Sequence, residues 1–298
     1  MQSVLILIAN PDDPAVTSDV ARAAATPLPA PDAPVWLADG VACEIDFALP
    51  TGAERTDLEG AVRDAIGTAP IDVAILPADG RRKALLVADM DSTMIGEECI
   101  DELGALSGLG AEIAAITERA MRGELNFAGA VRERVGLMKG LDASAIGRVI
   151  AERISYTPGG RELVQTMRSH SAFTALVSGG FTAFTAHVAE HLGFDDNQGN
   201  RLVIEGGVLA GTIEEPVLGR AAKVEALKRY CAEKNIMPSA TIAVGDGAND
   251  LDMLDAAGLG VAYHAKPIVA EAARVRVDHG DLTALLYLQG YRRQEITG

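Results

Sequence analysis

The stretch Leu85-Leu86-Val87-Ala88-Asp89-Met90-Asp91-Ser92-Thr93 constrains the fold more than any other. Four apolar residues of strand character run straight into two carboxylates separated by one residue. Along an extended chain such residues project to the same side. Two carboxylates about 4 Å apart repel by roughly 4 kcal/mol at an effective dielectric of about 20. Such a pair persists where a cation or a shared proton offsets the repulsion. Asp, Ser and Thr also start helices as N-caps, so the stretch alone does not separate a site from a cap. The far end of the chain does.

The 298 residues allow about two domains, each able to bury its own core. Hydrophobic residues at 48% and charged residues at 23% are ordinary for a soluble globular chain. The net charge of −16 argues against nucleic acid and anionic membrane surfaces as partners of the body as a whole. Any anion must then meet locally concentrated positive charge. Three scattered cysteines (Cys43, Cys99, Cys231) give neither a disulfide framework nor metal-ligand spacing, which favours a reducing cytoplasm. No window approaches the roughly 20 apolar residues of a membrane span. The start of the chain carries no basic region and too short an apolar run for a signal core.

Residues 1–82 read as a small α+β module. Strands at 4–9, 35–37, 41–49 and 71–76 alternate with helices at 17–25 and 57–66, the β-α-β-β-α-β order of a ferredoxin-like unit. The polar run Ala78-Asp79-Gly80-Arg81-Arg82-Lys83 is a hinge, and residues 83–298 form the second domain. There a strand at 84–88 leads into a helical insertion over about 97–155, which Thr157-Pro158-Gly159-Gly160 stops. Strand and helix then alternate: helices at 161–169, 182–192, 222–233 and 251–257, strands at 173–177 and 241–244, and short strands at 201–205, 208–211, 261–262 and 275–277. This alternation implies an α/β, doubly wound, mostly parallel sheet, with a helical cap and a small β flap. In such sheets ligands sit beyond the carboxyl ends of the strands.

The residues just beyond each strand carry the chemistry. Strand 84–88 ends in Asp89 and Asp91, strand 173–177 in Ser178-Gly179-Gly180, and strand 241–244 in Gly245-Asp246-Gly247-Ala248-Asn249-Asp250. Lys223 stands in the first turn of a helix, where a cation opposes the macrodipole and a bound anion would explain it. Asp89, Asp91 and Asp246 are hard oxygen ligands of the sort Mg²⁺ accepts. The Ser178 hydroxyl, backbone N–H groups and Lys223 suit phosphoryl oxygens. One aspartate can be a nucleophile that forms an aspartyl-phosphate, and the other a proton donor to the leaving alcohol.

These four points, in this order, resemble motifs one to four of the haloacid dehalogenase-like phosphatase superfamily, and within it the phosphoserine phosphatase family. The resemblance covers about residues 83–290. It extends to Glu97-Glu98, to Met121-Arg122-Gly123-Glu124-Leu125-Asn126-Phe127 with Arg132 and Arg134 after it, to Thr157-Pro158-Gly159, and to Ala262-Tyr263-His264-Ala265-Lys266-Pro267. Tyr263 stands where the family usually has Phe. The resemblance implies Asp89 as nucleophile and Asp91 as general acid/base. Asp89, the main-chain carbonyl of Asp91 and Asp246 would hold Mg²⁺, with Asp250 supporting them. Ser178, Gly179, Lys223 and Asn249 would take the phosphate. Glu98 would receive the ammonium of phosphoserine and Arg134 its carboxylate, with Arg132 as a neighbouring decoy, while Met121 and Phe127 line the lid. The activity implied is Mg²⁺-dependent hydrolysis of phosphoserine to serine, the last step of serine biosynthesis. An amino-acid phosphate fits such a pair independently, because arginine grips a planar carboxylate bidentately and an ammonium calls for a carboxylate.

His187-Val188-Ala189-Glu190-His191 also satisfies the H-x-x-E-H pattern of inverted zinc proteases, with its histidines four apart on a helix. It lies on a crossover helix whose amphipathic face ordinarily packs on the sheet, which speaks against zinc. The first 82 residues resemble, loosely, the ACT-like regulatory modules of amino-acid enzymes; dimerisation, structural support and serine sensing are the roles open to them.

Overall fold

The computed structural model describes residues 1–298 apart from Gly123 and the side chain of Met121. Among the described residues the first part runs β1 (Gln2–Ala9), α1 (Ser18–Ala25), β2 (Val35–Ala38), β3 (Ala42–Ala48), α2 (Arg55–Ile66) and β4 (Ile71–Pro77). Its strands form an antiparallel sheet of order β2-β3-β1-β4, with both helices on one face. The uninterrupted apolar run of β1 has a physical reason. Leu5, Leu7 and Ala9 pack with Ala21, Ala24 and Val62 of α1 and α2. Val4, Ile6 and Ile8 join the core of the second body, with Leu282, Leu285 and Leu286. A strand covered on both faces has no use for alternation.

The second body starts with β5 (Leu85–Ala88), whose four residues are fully buried. The insertion comprises α3 (Cys99–Leu106), α4 (Gly110–Met121), α5 (Phe127–Leu137) and α6 (Ser144–Glu152). After α7 (Gly160–Ser169) come β6 (Phe173–Phe181), α8 (Thr182–Leu192), β7 (Asp196–Asn200), the hairpin β8 (Leu202–Glu205) and β9 (Val208–Ile213), and α9 (Arg220–Lys234). The chain closes with β10 (Thr241–Gly245), α10 (Leu251–Ala256), β11 (Leu259–Tyr263), α11 (Pro267–Ala272), β12 (Val275–Val277) and α12 (Ala284–Leu288). The sheet is parallel, in the order β12-β11-β10-β5-β6-β7. Strand β5 therefore lies at its centre, with the carboxyl ends of β10 and β6 on either side.

Two local features depart from the sequence expectation. Strand β6 continues to Phe181, because its pairing with β7 shifts register between Val177 and Phe181 and resumes. Ser178, Gly179 and Gly180 thus sit in a bulge, which re-aims side chains at a sheet end. Strand β7, Asp-Asn-Gln-Gly-Asn, has no apolar residue and left no periodic signal. Side-chain bonds hold it: Thr185 Oγ1 donates to Asn197 Oδ1 at 2.8 Å and Tyr230 OH to Asp196 Oδ2 at 2.9 Å.

Candidate active site

Asp89 comes directly after β5 and is 4% exposed. Its N–H donates to Val244 O of β10 at 3.0 Å, and its Oδ1 accepts the Met90 N–H at 2.8 Å. The chain then closes a tight turn, with the N–H groups of Thr93, Met94 and Ile95 all directed at Met90 O. This turn brings Asp91 beside the β6 bulge. Asp91 Oδ1 accepts from Cys99 N at 3.1 Å, and Oδ2 lies 3.4 Å from Ser178 Oγ, which itself accepts the Gly180 N–H at 2.8 Å. A Cβ on Gly180 would stand 2.9 Å from Asp91 Oδ2 and 3.1 Å from Ser178 Oγ, so a side chain there would displace one of these groups.

From the other side, α9 delivers Lys223, 2% exposed. Its Nζ lies 2.6 Å from Asp89 Oδ1 and 2.5 Å from Asp250 Oδ1. The β10–α10 turn fixes Asp250, whose Oδ2 accepts the Gly247 N–H at 3.1 Å. A Cβ on Gly245 would overlap the Asp250 carboxylate. Lys266, the N-cap of α11, donates its backbone N–H to Asp246 O at 3.1 Å and holds its Nζ 3.4 Å from Asp246 Oδ2. Sequence reasoning gave Lys266 no role. The signal was the one that flagged Lys223, a cation at a helix N-terminus.

Carboxylate oxygens of Asp89, Asp246 and Asp250 all lie within 4.8 Å of one another, a grouping that could hold a metal ion. Among the described residues no other His, Cys, Asp and Glu cluster does so. The H-x-x-E-H pattern in particular does not converge: the His191 ring stacks on Tyr156 at 3.9 Å. Electrostatics show the strain of packing these acids together. Burial, then Glu98 and Asp89, pushes Asp91 up to about 7. Burial and the charge of Asp89 push Asp246 up to about 6 against the pull of Lys266. Burial also raises Asp250, with Asp89 adding to it and Lys223 opposing. Burial works against the charge on Lys223, but Asp89 and Asp250 more than offset it, and its pKa lies above the usual lysine value.

A cleft of about 110 Å³ opens over these groups. That is far below the roughly 300 Å³ at which pockets for drug-sized ligands begin, so it suits a small ligand. Asp89, Asp91, Ser178, Gly179, Asp246 and Asn249 line its floor, and Glu98, Phe127 and Arg134 its cap side. Of the two candidate arginines only Arg134 reaches the cleft. Arg132 points away and pairs with Glu215 at 2.8 Å. Burial lowers the pKa of Arg134, against the opposing pull of Asp101, Glu98 and Asp91. Glu98 accepts the Ser92 hydroxyl at 3.1 Å. The Phe127 ring, 40% exposed, sits where Cβ atoms on Gly179 and Gly219 would meet it at 2.8 and 2.9 Å, so the cap docks its first α5 residue into a slot between β6 and α9. The Met121 side chain, expected on the lid, lies outside the described residues, as does Gly123 of the same motif.

Asn200 was not legible in the sequence as part of the site. It is buried, donates Nδ2 to Gly179 O at 2.8 Å and to Leu218 O at 3.0 Å, and accepts the Leu218 N–H at 2.8 Å. One side chain thereby ties the β6 bulge to the approach of α9. A larger cavity of about 720 Å³ lies at the opposite, amino ends of β5 and β6, around Ala84, Phe173 and Arg168. Its Arg168 and Asp195 already pair with each other at 2.8 Å, and no catalytic constellation faces it.

The haloacid dehalogenase-like hydrolase profile matches residues 86–255. A phosphoserine phosphatase of Streptomyces coelicolor is 42% identical over 254 residues, which cover 85% of this chain and 62% of that protein. The match thus spans less than two thirds of that relative. A phosphoserine phosphatase of Albidiferax ferrireducens is 44% identical over 209 residues, covering 68% of this chain and 88% of the relative. Among solved structures, a HAD family hydrolase from Salmonella enterica serovar Typhi superposes with a TM-score of 0.84 at 29% identity, covering 96% of this chain and 98% of the other. Both sheets are therefore shared with that neighbour. The chain belongs to the haloacid dehalogenase-like hydrolases, among relatives that are phosphoserine phosphatases.

Proposed function

We propose that this protein is a Mg²⁺-dependent phosphoserine phosphatase working through a phosphorylated Asp89. The observation that carries the reading is the constellation at the carboxyl edge of the parallel sheet: Asp89 paired with buried Lys223, and Asp91 beside Ser178. The donor set fits a hard divalent cation. Three buried carboxylates crowd within 4.8 Å, and oxygen-only ligation is what Mg²⁺ takes. Asp89, Asp246 and the main-chain carbonyl of Asp91 would hold it, with Asp250 supporting them. Bound there, the cation offsets the carboxylate repulsion and stabilises charge on the phosphoryl oxygens.

Asp89 attacks phosphorus, and the bond from phosphorus to the serine oxygen breaks. Asp91, whose proton affinity is raised toward neutrality, gives its proton to that oxygen. The Asp91 carboxylate then takes a proton from water, whose oxygen attacks the acyl-phosphate and frees phosphate and Asp89. Ser178, Gly179, Asn249 and Lys223 bind the phosphoryl oxygens in both steps. Glu98 receives the substrate ammonium and Arg134 its carboxylate, while Phe127 closes the lid over them. Serine is the product, which suits a final step of serine synthesis. A homodimer through the first sheet would use the edge strand β2, where Val35 and Trp36 are exposed; a size-exclusion mass of one chain would exclude it.

The test is phosphate release from phosphoserine, phosphothreonine and glucose 6-phosphate, with Mg²⁺ and with EDTA. The reading expects turnover of phosphoserine above the other two and none in EDTA. Equal turnover of the sugar phosphate would remove the roles of Glu98 and Arg134, and full activity in EDTA would remove the metal.

A further inference from the structure

Strand β4 turns Asp72, Ala74 and Leu76 toward the second body, and Ala74 and Leu76 pack there as expected. Asp72 breaks the pattern: it is a carboxylate 3% exposed at the seam between the two bodies. Such a group is stable in the interior when charge-assisted hydrogen bonds surround it. Here three consecutive backbone donors do so. Asp72 Oδ1 accepts from Asp278 N at 2.7 Å, Oδ2 from Gly280 N at 2.8 Å, and both from His279 N at 3.2 Å. Asn10 adds a bond from Nδ2 to His279 O at 3.1 Å.

The loop so held, residues 278–283, touches two segments that lead into the catalytic site. Gly280 O lies 2.9 Å from His264 Nε2, and His264 stands two residues before Lys266, whose N–H and Nζ both engage Asp246. Leu282 N donates to Pro158 O at 3.0 Å, on the segment where the chain returns from the cap. The approach is close enough that a Cβ on Gly159 would stand 2.6 Å from Thr283 N. Thr157 N in turn bonds Met94 O, on the turn that carries Asp91.

We propose that Asp72 is a positioning residue for catalysis: by fixing the 278–283 loop, the first sheet sets both the Lys266–Asp246 rim and the hinge on which the cap returns. The bland alternative is a latch that only joins two bodies. Its removal would cost stability and leave the site's geometry and kinetics alone.

The two are separated with the full-length chain carrying Asp72→Asn or Gly280→Ala. Asparagine keeps one acceptor and sets an amide donor against the Gly280 N–H. The Gly280 Cβ would stand 3.2 Å from both Asp72 Oδ2 and Ala284 Cβ, so the contact must open by a few tenths of an ångström from the other side. Hydrogen exchange reports at Thr157, Gly160, His264 and Lys266, whose amides are all hydrogen-bonded. Well below the melting temperature of each variant, these amides are expected to exchange about tenfold faster while those of β5 and β10 stay unchanged. With phosphoserine, kcat/KM is expected to fall about tenfold, as small displacements in a site can cause. The kinetic arm rests on the proposed function. A wild-type chain inactive on phosphoserine would sink that function, and exchange alone would then decide the role of Asp72. Folded variants with unchanged exchange at the four amides, or with raised exchange but unchanged kcat/KM on an active wild type, overturn the positioning role. Loss of cooperative unfolding in both variants makes Asp72 a latch and overturns it too.

Discussion

Replacing Lys223 with methionine is the sharpest probe of the site's electrostatics. Methionine fills much of the same volume but takes away the ammonium that lies 2.6 Å from Asp89 and 2.5 Å from Asp250. Both acids are almost wholly buried, so neither recovers the loss by turning to water. Breaking a buried pair by removing one partner costs roughly 3–5 kcal/mol. A kcal/mol moves the melting temperature by about 2–4 °C in chains of 150–250 residues, and by the lower figure in larger ones. For 298 residues the expected drop is therefore about 6–10 °C, read by thermal denaturation in EDTA. The double variant Lys223→Met/Asp250→Asn removes one stranded charge and should recover about half of the loss or more, a coupling that a thermodynamic cycle isolates. Mg²⁺ should narrow the gap as well, by supplying positive charge to the same carboxylates. A single variant within about 2 °C of wild type in EDTA, or a double variant less stable than the single, would refute the claim that Lys223 holds the cluster together.

Three further outcomes are expected. Asn200→Ala strands the Leu218 N–H and the Gly179 carbonyl, so it should destabilise by about 2–4 kcal/mol and lower phosphoserine turnover; a folded variant with wild-type kinetics would detach Asn200 from the site. Gly219→Ala should raise KM, because the new Cβ falls 2.9 Å from the Phe127 ring and pushes the cap outward. In a Phe127→Ala background the same change should do nothing more, and an additive effect would contradict the docking slot. The rise in melting temperature caused by Mg²⁺ should grow from pH 5.5 to pH 8. Asp246 and Asp250 have pKa values raised by folding, so their contribution to metal-free stability is fully present below the ordinary carboxylate range and is lost as pH rises through about 6 to 7. The metal relieves that loss. A shift that is flat or shrinks with pH would mean the cluster is not its site.

Much of this arrangement was legible because the chemistry is placed by secondary structure. A strand that ends in Asp-x-Asp, another that ends in Ser-Gly-Gly and a third that ends in Gly-Asp-Gly reach one rim whenever the sheet is parallel, whatever the order of the strands. That order, with β5 between β10 and β6, had to come from the fold. Strand β7 stayed hidden because side-chain hydrogen bonds, not apolar alternation, hold it, and Asn200 was hidden with it. The Gly179-Gly180 pair reads as a chain stop, yet β6 resumes beyond the bulge at Phe181. The unbroken apolar run of β1 marked a strand without saying what covers its second face, and the answer is the other body. Nothing in the sequence sets Asp72 apart from other acids in strands. Only a contact 206 residues away in sequence gives it meaning.

The central claim is that phosphorus passes through Asp89. It is tested by mixing the protein with Mg²⁺ and radiolabelled phosphoserine, quenching in acid within the turnover time, and mapping the label by peptide mass spectrometry. The predicted result is a hydroxylamine-labile phosphoryl group on the peptide carrying Asp89, absent from Asp89→Asn. Label on another residue, or label retained in Asp89→Asn, would contradict it.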